Sequence, residues 1–235
     1  MKRFLFGLVL LTAPAFASAQ TIPAPSSEAL LQMANDFQQE LTGTILPFWQ
    51  KNLPNNANGS FYGVIDAQGK AIPDSARSAL LSSEILWVFS AADAEIPNPD
   101  YKKLAAYAFA DLEKNFQDKK HGGVYWSVDG NGKPAESHKQ VYAQAMAILA
   151  YCEYARTNKP ALAQAKDLYQ LLEKYARDKT QGGYYQTLAQ DWSKGDVTDS
   201  VNSGAAKTLK TPLQVLQAYS RLLALWPNPE LKKNH

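Results

Sequence analysis

The chain has 235 residues, 46% of them hydrophobic, and carries 24 basic against 22 acidic side chains. That length has room for a sizeable core, and the composition is neither that of a disordered chain nor that of a membrane protein. With little net charge and no basic run longer than Lys119-Lys120 or Lys232-Lys233, the sequence speaks against nucleic acid or an anionic membrane surface as partner.

The N-terminus has the pattern of an export signal. Lys2 and Arg3 give a positive start, Phe4 to Leu11 an apolar run, and Ala17-Ser18-Ala19 a small-residue cleavage site, with cleavage expected after Ala19. The run is too short to stay in a bilayer as an anchor, so a bacterial periplasmic or secreted location is expected. Loss of Lys2 and Arg3 takes the basic count from 24 to 22, equal to the 22 acidic residues. Residues 20–27 are a Pro/Ser-rich leader, expected to be mobile, and residues 28–235 are expected to form one domain.

Ser26 or Ser27 offers an N-cap for a helix from Glu28 to Lys51, in which Leu30, Leu31, Met33, Phe37, Leu41 and Ile45 recur at helical spacing. Pro47 is expected to kink or end it. Asn58 to Asp66 reads as extended, with its turn at Ala67 to Lys70. Asp74 is the expected cap of a helix from Ser75 to Ala94. Further helices are predicted over Tyr101–Asp118, Lys139–Thr157, Ala161–Asp178 and Thr208–Leu225, the last with Pro212 as an alternative start. Between them, Gly122 to Gly130 and Gly182 to Gln186 read as extended segments, and Ser200 to Ala206 as a weakly patterned loop.

The Gly-Gly-aromatic segments at Gly122 and Gly182 lie 60 residues apart, and Gly59-Ser60-Phe61-Tyr62 lies about as far upstream. A unit of helix, hairpin and helix that recurs marks a repeat architecture. Two-helix repeats that close on themselves make an α/α toroid, with inner helices around a central pocket and hairpins at one mouth. An ordinary helical bundle with coincidental Gly-Gly turns is the competing reading. Five Trp, twelve Tyr and nine Phe supply a core and also suit sugar binding, because flat rings stack on apolar sugar faces.

Particular stretches are recognisable. Ile45-Leu46-Pro47-Phe48-Trp49 followed by Gly59-Ser60-Phe61-Tyr62-Gly63, then Ile85-Leu86-Trp87-Val88-Phe89-Ser90-Ala91-Ala92, resemble the N-acylglucosamine 2-epimerase/cellobiose 2-epimerase family. Gly122 to Asp129 with Gly132-Lys133-Pro134, Lys139-Gln140-Val141-Tyr142-Ala143-Gln144-Ala145, and Leu216-Gln217-Ala218-Tyr219 are similar to it in the same order. The resemblance implies an all-α fold that is about half of an (α/α)6 toroid, the N-terminal half, with short β-hairpins at one mouth. It also implies a mono- or disaccharide as the ligand. In that family histidines move a proton beside the open-chain carbonyl and an arginine holds the oxygen that gains charge.

Against that pattern the chain departs at its chemistry. Glu84 stands where the family has an arginine, Gln214 where it has a histidine, and Lys210 where it usually has an asparagine, while Tyr142 is retained. The family's remaining histidines fall beyond residue 235. A glutamine amide does not titrate, and a carboxylate repels an enolate. The resemblance therefore implies a sugar-epimerase scaffold with lost or impaired epimerase chemistry. Trp87, Trp126 and Tyr142 are candidates for sugar contacts, with Lys210 and Gln214 beside them; core packing is the competing reading for the two tryptophans. Glu84 and Lys210 are expected to pair if both face the pocket.

Two other readings stand beside this one. Glu84 is the candidate catalytic residue of a glycan-active enzyme of different, hydrolase-like chemistry, with Asp129 and Asp191 as further carboxylates. Alternatively the chain is a non-catalytic interaction protein, or a half-ring that pairs with a second copy or with a missing C-terminal half. No metal or other cofactor is expected: His121, His138 and His235 lack metal-ligand spacing, and no phosphate-binding or nucleophile-elbow motif occurs. Cys152, the one cysteine, lies in an apolar helical stretch and reads as a small buried hydrophobe.

Overall fold

The computed structural model describes residues 25–195 and 205–234. The signal pattern, the export cleavage site, most of the Ser200–Ala206 loop and His235 lie outside them. The chain divides into two compact units, Met1–Thr44 and Ile45–His235. In the first, α1 (Ser27–Glu40) begins where the Ser26 hydroxyl accepts the Ala29 N–H at 3.1 Å. Its apolar residues Leu30, Leu31, Met33 and Phe37 are exposed, and none of its side chains is buried.

The second unit is built from one motif used repeatedly. An outer helix ends and the chain turns through glycines. A short hairpin follows, and then an inner helix starts. Its helices are α2 (Leu46–Asn52), α3 (Ala79–Glu95), α4 (Pro99–Asp111), α5 (Val141–Tyr154), α6 (Ala161–Leu171), α7 (Lys210–Leu225) and α8 (Pro229–Asn234). Pro47 sits in the first turn of α2, where its missing N–H leaves no bond unmade. Helix α5 packs against α3 on one flank, α7 on the other and α6 behind. Almost every α5 side chain is therefore buried, which is why its sequence is apolar all round rather than striped.

The strands are short: β1 (Pro54–Asn55), β2 (Ser60–Phe61), β3 (Arg77–Ser78), β4 (Ser127–Val128), β5 (Pro134–Glu136), β6 (Lys139–Gln140) and β7 (Thr187–Leu188). They stitch each repeat to the next. Strand β3, which leads into α3, pairs with β4 of the following hairpin, and β6, which leads into α5, pairs with β7. The first amides of α3 and α5 are satisfied the same way: Ala79 N–H donates to the Trp126 carbonyl at 2.8 Å, and Val141 N–H to the Gln186 carbonyl at 3.0 Å.

One expected cap differs. Helix α3 starts at Ala79 and not at Ser75, because Arg77 and Ser78 are committed to strand pairing with β4. The Ser78 hydroxyl then caps it by accepting the Leu81 N–H at 3.1 Å, and Asp74 takes a left-handed turn conformation with φ of 59°. Helices α4 and α6 also stop earlier than periodicity suggests, each closing in a π-helical turn, Leu112–Phe116 and Leu172–Ala176. The wider turn aims Glu113 at the Tyr151 hydroxyl (3.0 Å) and Glu173 at the Tyr219 hydroxyl (2.9 Å), tying the outer helix to the inner one in both repeats.

Candidate functional site

Strand register fixes which residues of the three inner helices correspond. Arg77 faces Val128 and Lys139 faces Leu188, so Arg77 and Lys139 hold the same place in successive repeats. Lys207 extends the series: it binds Asp178 as Lys139 binds Asp118. Counting on from these three anchors, Leu80, Tyr142 and Lys210 are equivalent on α3, α5 and α7. Glu84, Met146 and Gln214 are equivalent one turn later.

These positions come together. The Lys210 ammonium lies 4.1 Å from the centroid of the Tyr142 ring, a cation–π contact. Gln214 is buried and its amide nitrogen donates to the Met146 sulfur at 3.5 Å. Glu84 has an exposed side chain but a carboxyl partly enclosed by protein. The resulting desolvation raises it above the usual carboxylate range, and the Lys210 charge opposes the shift. Glu84 and Lys210 interact at this longer range and form no direct ion pair. The ammonium takes the face of Tyr142 instead.

Of the predicted site residues, the structure thus brings Glu84, Tyr142, Lys210 and Gln214 to one face of the inner helices. Trp87 and Trp126 are half-buried and pack against the core. The Trp126 ring stacks on buried His138 with centroids 6.2 Å apart. Asp129 and Asp191 are turn residues. Asp129 accepts the Asn131 and Lys133 N–H groups at 2.9 Å, and Asp191 accepts that of Ser193 at 3.0 Å. His121 is likewise part of a turn, its N–H on Asp118 and its carbonyl accepting the Trp192 indole N–H. Among the described residues no three His, Cys, Asp or Glu side chains gather as a metal would need.

Sequence reading missed Met146, which periodicity marks only as core, and it missed the ion pairs beneath the site. Asp118 caps the turn before Gly122-Gly123 and accepts Lys139 at 2.8 Å, both side chains being fully buried. The Lys139 ammonium also sits over the rings of Tyr125 and Trp192. Burial alone raises the Asp118 carboxyl. The Lys139 hydrogen bond, the His121 and Lys120 amides and the Lys139 charge outweigh it and bring the carboxyl to about 2. The signal was present in the sequence as Asp118-Lys-Lys-His-Gly-Gly and Asp178-Lys-Thr-Gln-Gly-Gly, the same aspartate four residues before each Gly-Gly.

Residues 59–202 match the model of the N-acylglucosamine 2-epimerase (GlcNAc 2-epimerase) family. The chain belongs to that family. It is 34% identical over 205 residues to a cellobiose 2-epimerase of Bacteroides fragilis, covering 86% of this chain and 52% of that protein. A cellobiose 2-epimerase of Ruminococcus albus is 34% identical over 194 residues, 81% of this chain and 49% of that one. Among solved structures, cellobiose 2-epimerase from Spirochaeta thermophila superposes with a TM-score of 0.83 at 31% identity, covering 90% of this chain and 53% of that one. The enzyme from Bacillus thermoamylovorans gives 0.81 at 33% identity, covering 86% and 53%. A D-mannose isomerase at 18% identity and TM-score 0.70 shares the fold. The chain spans about half the length of the curated relatives it matches, so its three repeats are an open portion of the (α/α)6 barrel of this epimerase family.

Proposed function

We propose that this exported member of the epimerase family holds a mono- or disaccharide at the inner-helix face without carrying out C2 epimerisation. The observation that carries the reading is Gln214: a buried amide on the Met146 sulfur, which does not titrate near neutral pH, stands where proton transfer would need an imidazole. Glu84 compounds it. A carboxylate at this face disfavours charge building on a sugar oxygen, the opposite of what an arginine supplies. Tyr142 and Lys210 offer a ring face, a hydroxyl and an ammonium for sugar hydroxyls. The positive start, apolar run and small-residue site of the first 19 residues support export.

The test is proton exchange. Purified chain is incubated with glucose, mannose, cellobiose and N-acetylglucosamine in D2O, and the sugar C2 proton is followed by NMR. Saturable binding, read by line broadening or calorimetry, with an undiminished C2 signal is the expected result. Loss of the C2 signal overturns the reading. A second reading, a glycan-active enzyme with Glu84 as general acid, is favoured by its raised carboxyl. It requires release of product from a disaccharide, abolished in Glu84→Gln.

A further inference from the structure

Glu84 is unlike other carboxylates of the inner-helix layer. Asp111 holds Arg77, Asp118 holds Lys139 and Glu153 holds Arg221, each in a direct ion pair at 2.8 Å. Among the described residues no donor of this chain bonds Glu84, and the charge that acts on it is that of Lys210, without contact. Its side chain is exposed on the face proposed to hold the sugar. The repeat accounts for the exception. The equivalent residues Met146 and Gln214 are uncharged and bond one another through amide and sulfur, so neither neutralises the carboxylate.

Lys210 shows what this face attracts. Its side chain is exposed and could extend into water, yet its ammonium lies 4.1 Å from the centroid of the Tyr142 ring and within the field of Glu84. The ring face and the carboxylate act together on positive charge. Tethered to α7, the Lys210 ammonium stops short of the carboxylate. The ammonium of a ligand has no such tether, and it can reach Glu84 at hydrogen-bond distance while Tyr142 meets the sugar ring. Because the carboxyl is partly enclosed by protein, it has already lost hydration, and a charged hydrogen bond there is worth more than one made in open water.

We infer that this face selects a sugar carrying a free, protonated amine, with Glu84 as the specificity-determining residue that receives the ammonium. The inference rests on the sugar-binding reading above and names the ligand class for it. Related sugars fit less well, each for a stated reason. An N-acetyl group removes the positive charge. A hydroxyl in place of the amine still donates to the carboxylate, but as a neutral donor. A uronate would bring a second carboxylate to Glu84, and Lys210 would have to leave the Tyr142 ring to receive it. Glu84, Tyr142 and Lys210 lie on α3, α5 and α7, so these three helices make the contact by themselves.

Titration calorimetry of the purified chain with glucosamine, glucose, N-acetylglucosamine and glucuronate, at one neutral pH and low ionic strength, tests this. Glucosamine should bind about tenfold more tightly than glucose, the effect of one hydrogen bond between charged groups. In Glu84→Gln the ratio of glucosamine to glucose affinity should fall to near one. In Lys210→Met it should rise, because the tethered ammonium no longer competes for Tyr142 or repels the incoming one. Both positions are exposed, and circular dichroism checks that each variant is folded. Glucose bound as tightly as glucosamine, or a preference for glucosamine that survives Glu84→Gln, overturns the inference and leaves the sugar-binding reading in place. So does glucuronate bound more tightly than glucose, which would assign the face to Lys210. Binding of none of the four sugars overturns both.

Discussion

Asp118–Lys139 and Asp178–Lys207 are the same ion pair in two settings, and their comparison tests how far burial sets the worth of such a pair. Lys139→Ala leaves the Asp118 carboxyl in a site with no solvent access. Removing one member of a buried pair costs about 3–5 kcal/mol. The lower end applies here, about 3 kcal/mol, because Asp118 keeps the Lys120 and His121 N–H groups on one oxygen and the Gln190 amide at 3.2 Å on the other. Lys207→Ala removes a half-exposed ammonium, and water takes its place, so the cost is a small fraction of that. Urea unfolding followed by tryptophan fluorescence measures both. Equal costs for the two substitutions would refute the argument, since the pairs share chemistry and sequence context and differ in cover.

Three further outcomes are expected. Gly123→Ala and Gly183→Ala share a left-handed φ of 74° and 73°, so both carry the same backbone penalty of about 1 kcal/mol, but only the first meets Trp192; thermal melts should place Gly123→Ala lower by a further 1–3 kcal/mol or so of overpacking. Asp118, held at about 2 against an ordinary 3.8, contributes stability that is present above 3.8 and lost as the pH falls toward 2, because the unfolded chain then binds the extra proton; Asp118→Asn should flatten that acid limb in pH-jump unfolding. Burial pushes the Cys152 thiol up to about 12, so a thiol reagent at pH 8 should label it only when the chain unfolds.

The fold was largely legible in the sequence because repeats announce themselves. Gly122 and Gly182, with φ of 75° and 74°, need the residue that tolerates a left-handed turn, and their spacing exposed the period. The start of α3 was not legible, because Asp74 and Ser78 are both good caps and only pairing of β3 with a strand 50 residues on decides between them. The π-helical ends of α4 and α6 were hidden for a similar reason: Leu112–Phe116 and Leu172–Ala176 read as ordinary helix, and it is tertiary bonds from Glu113 and Glu173 that favour the wider turn. Glu84, Lys210 and Gln214 could be singled out only through resemblance to a family. Their convergence is a matter of register, which links residues 62 and 68 apart and leaves no local trace.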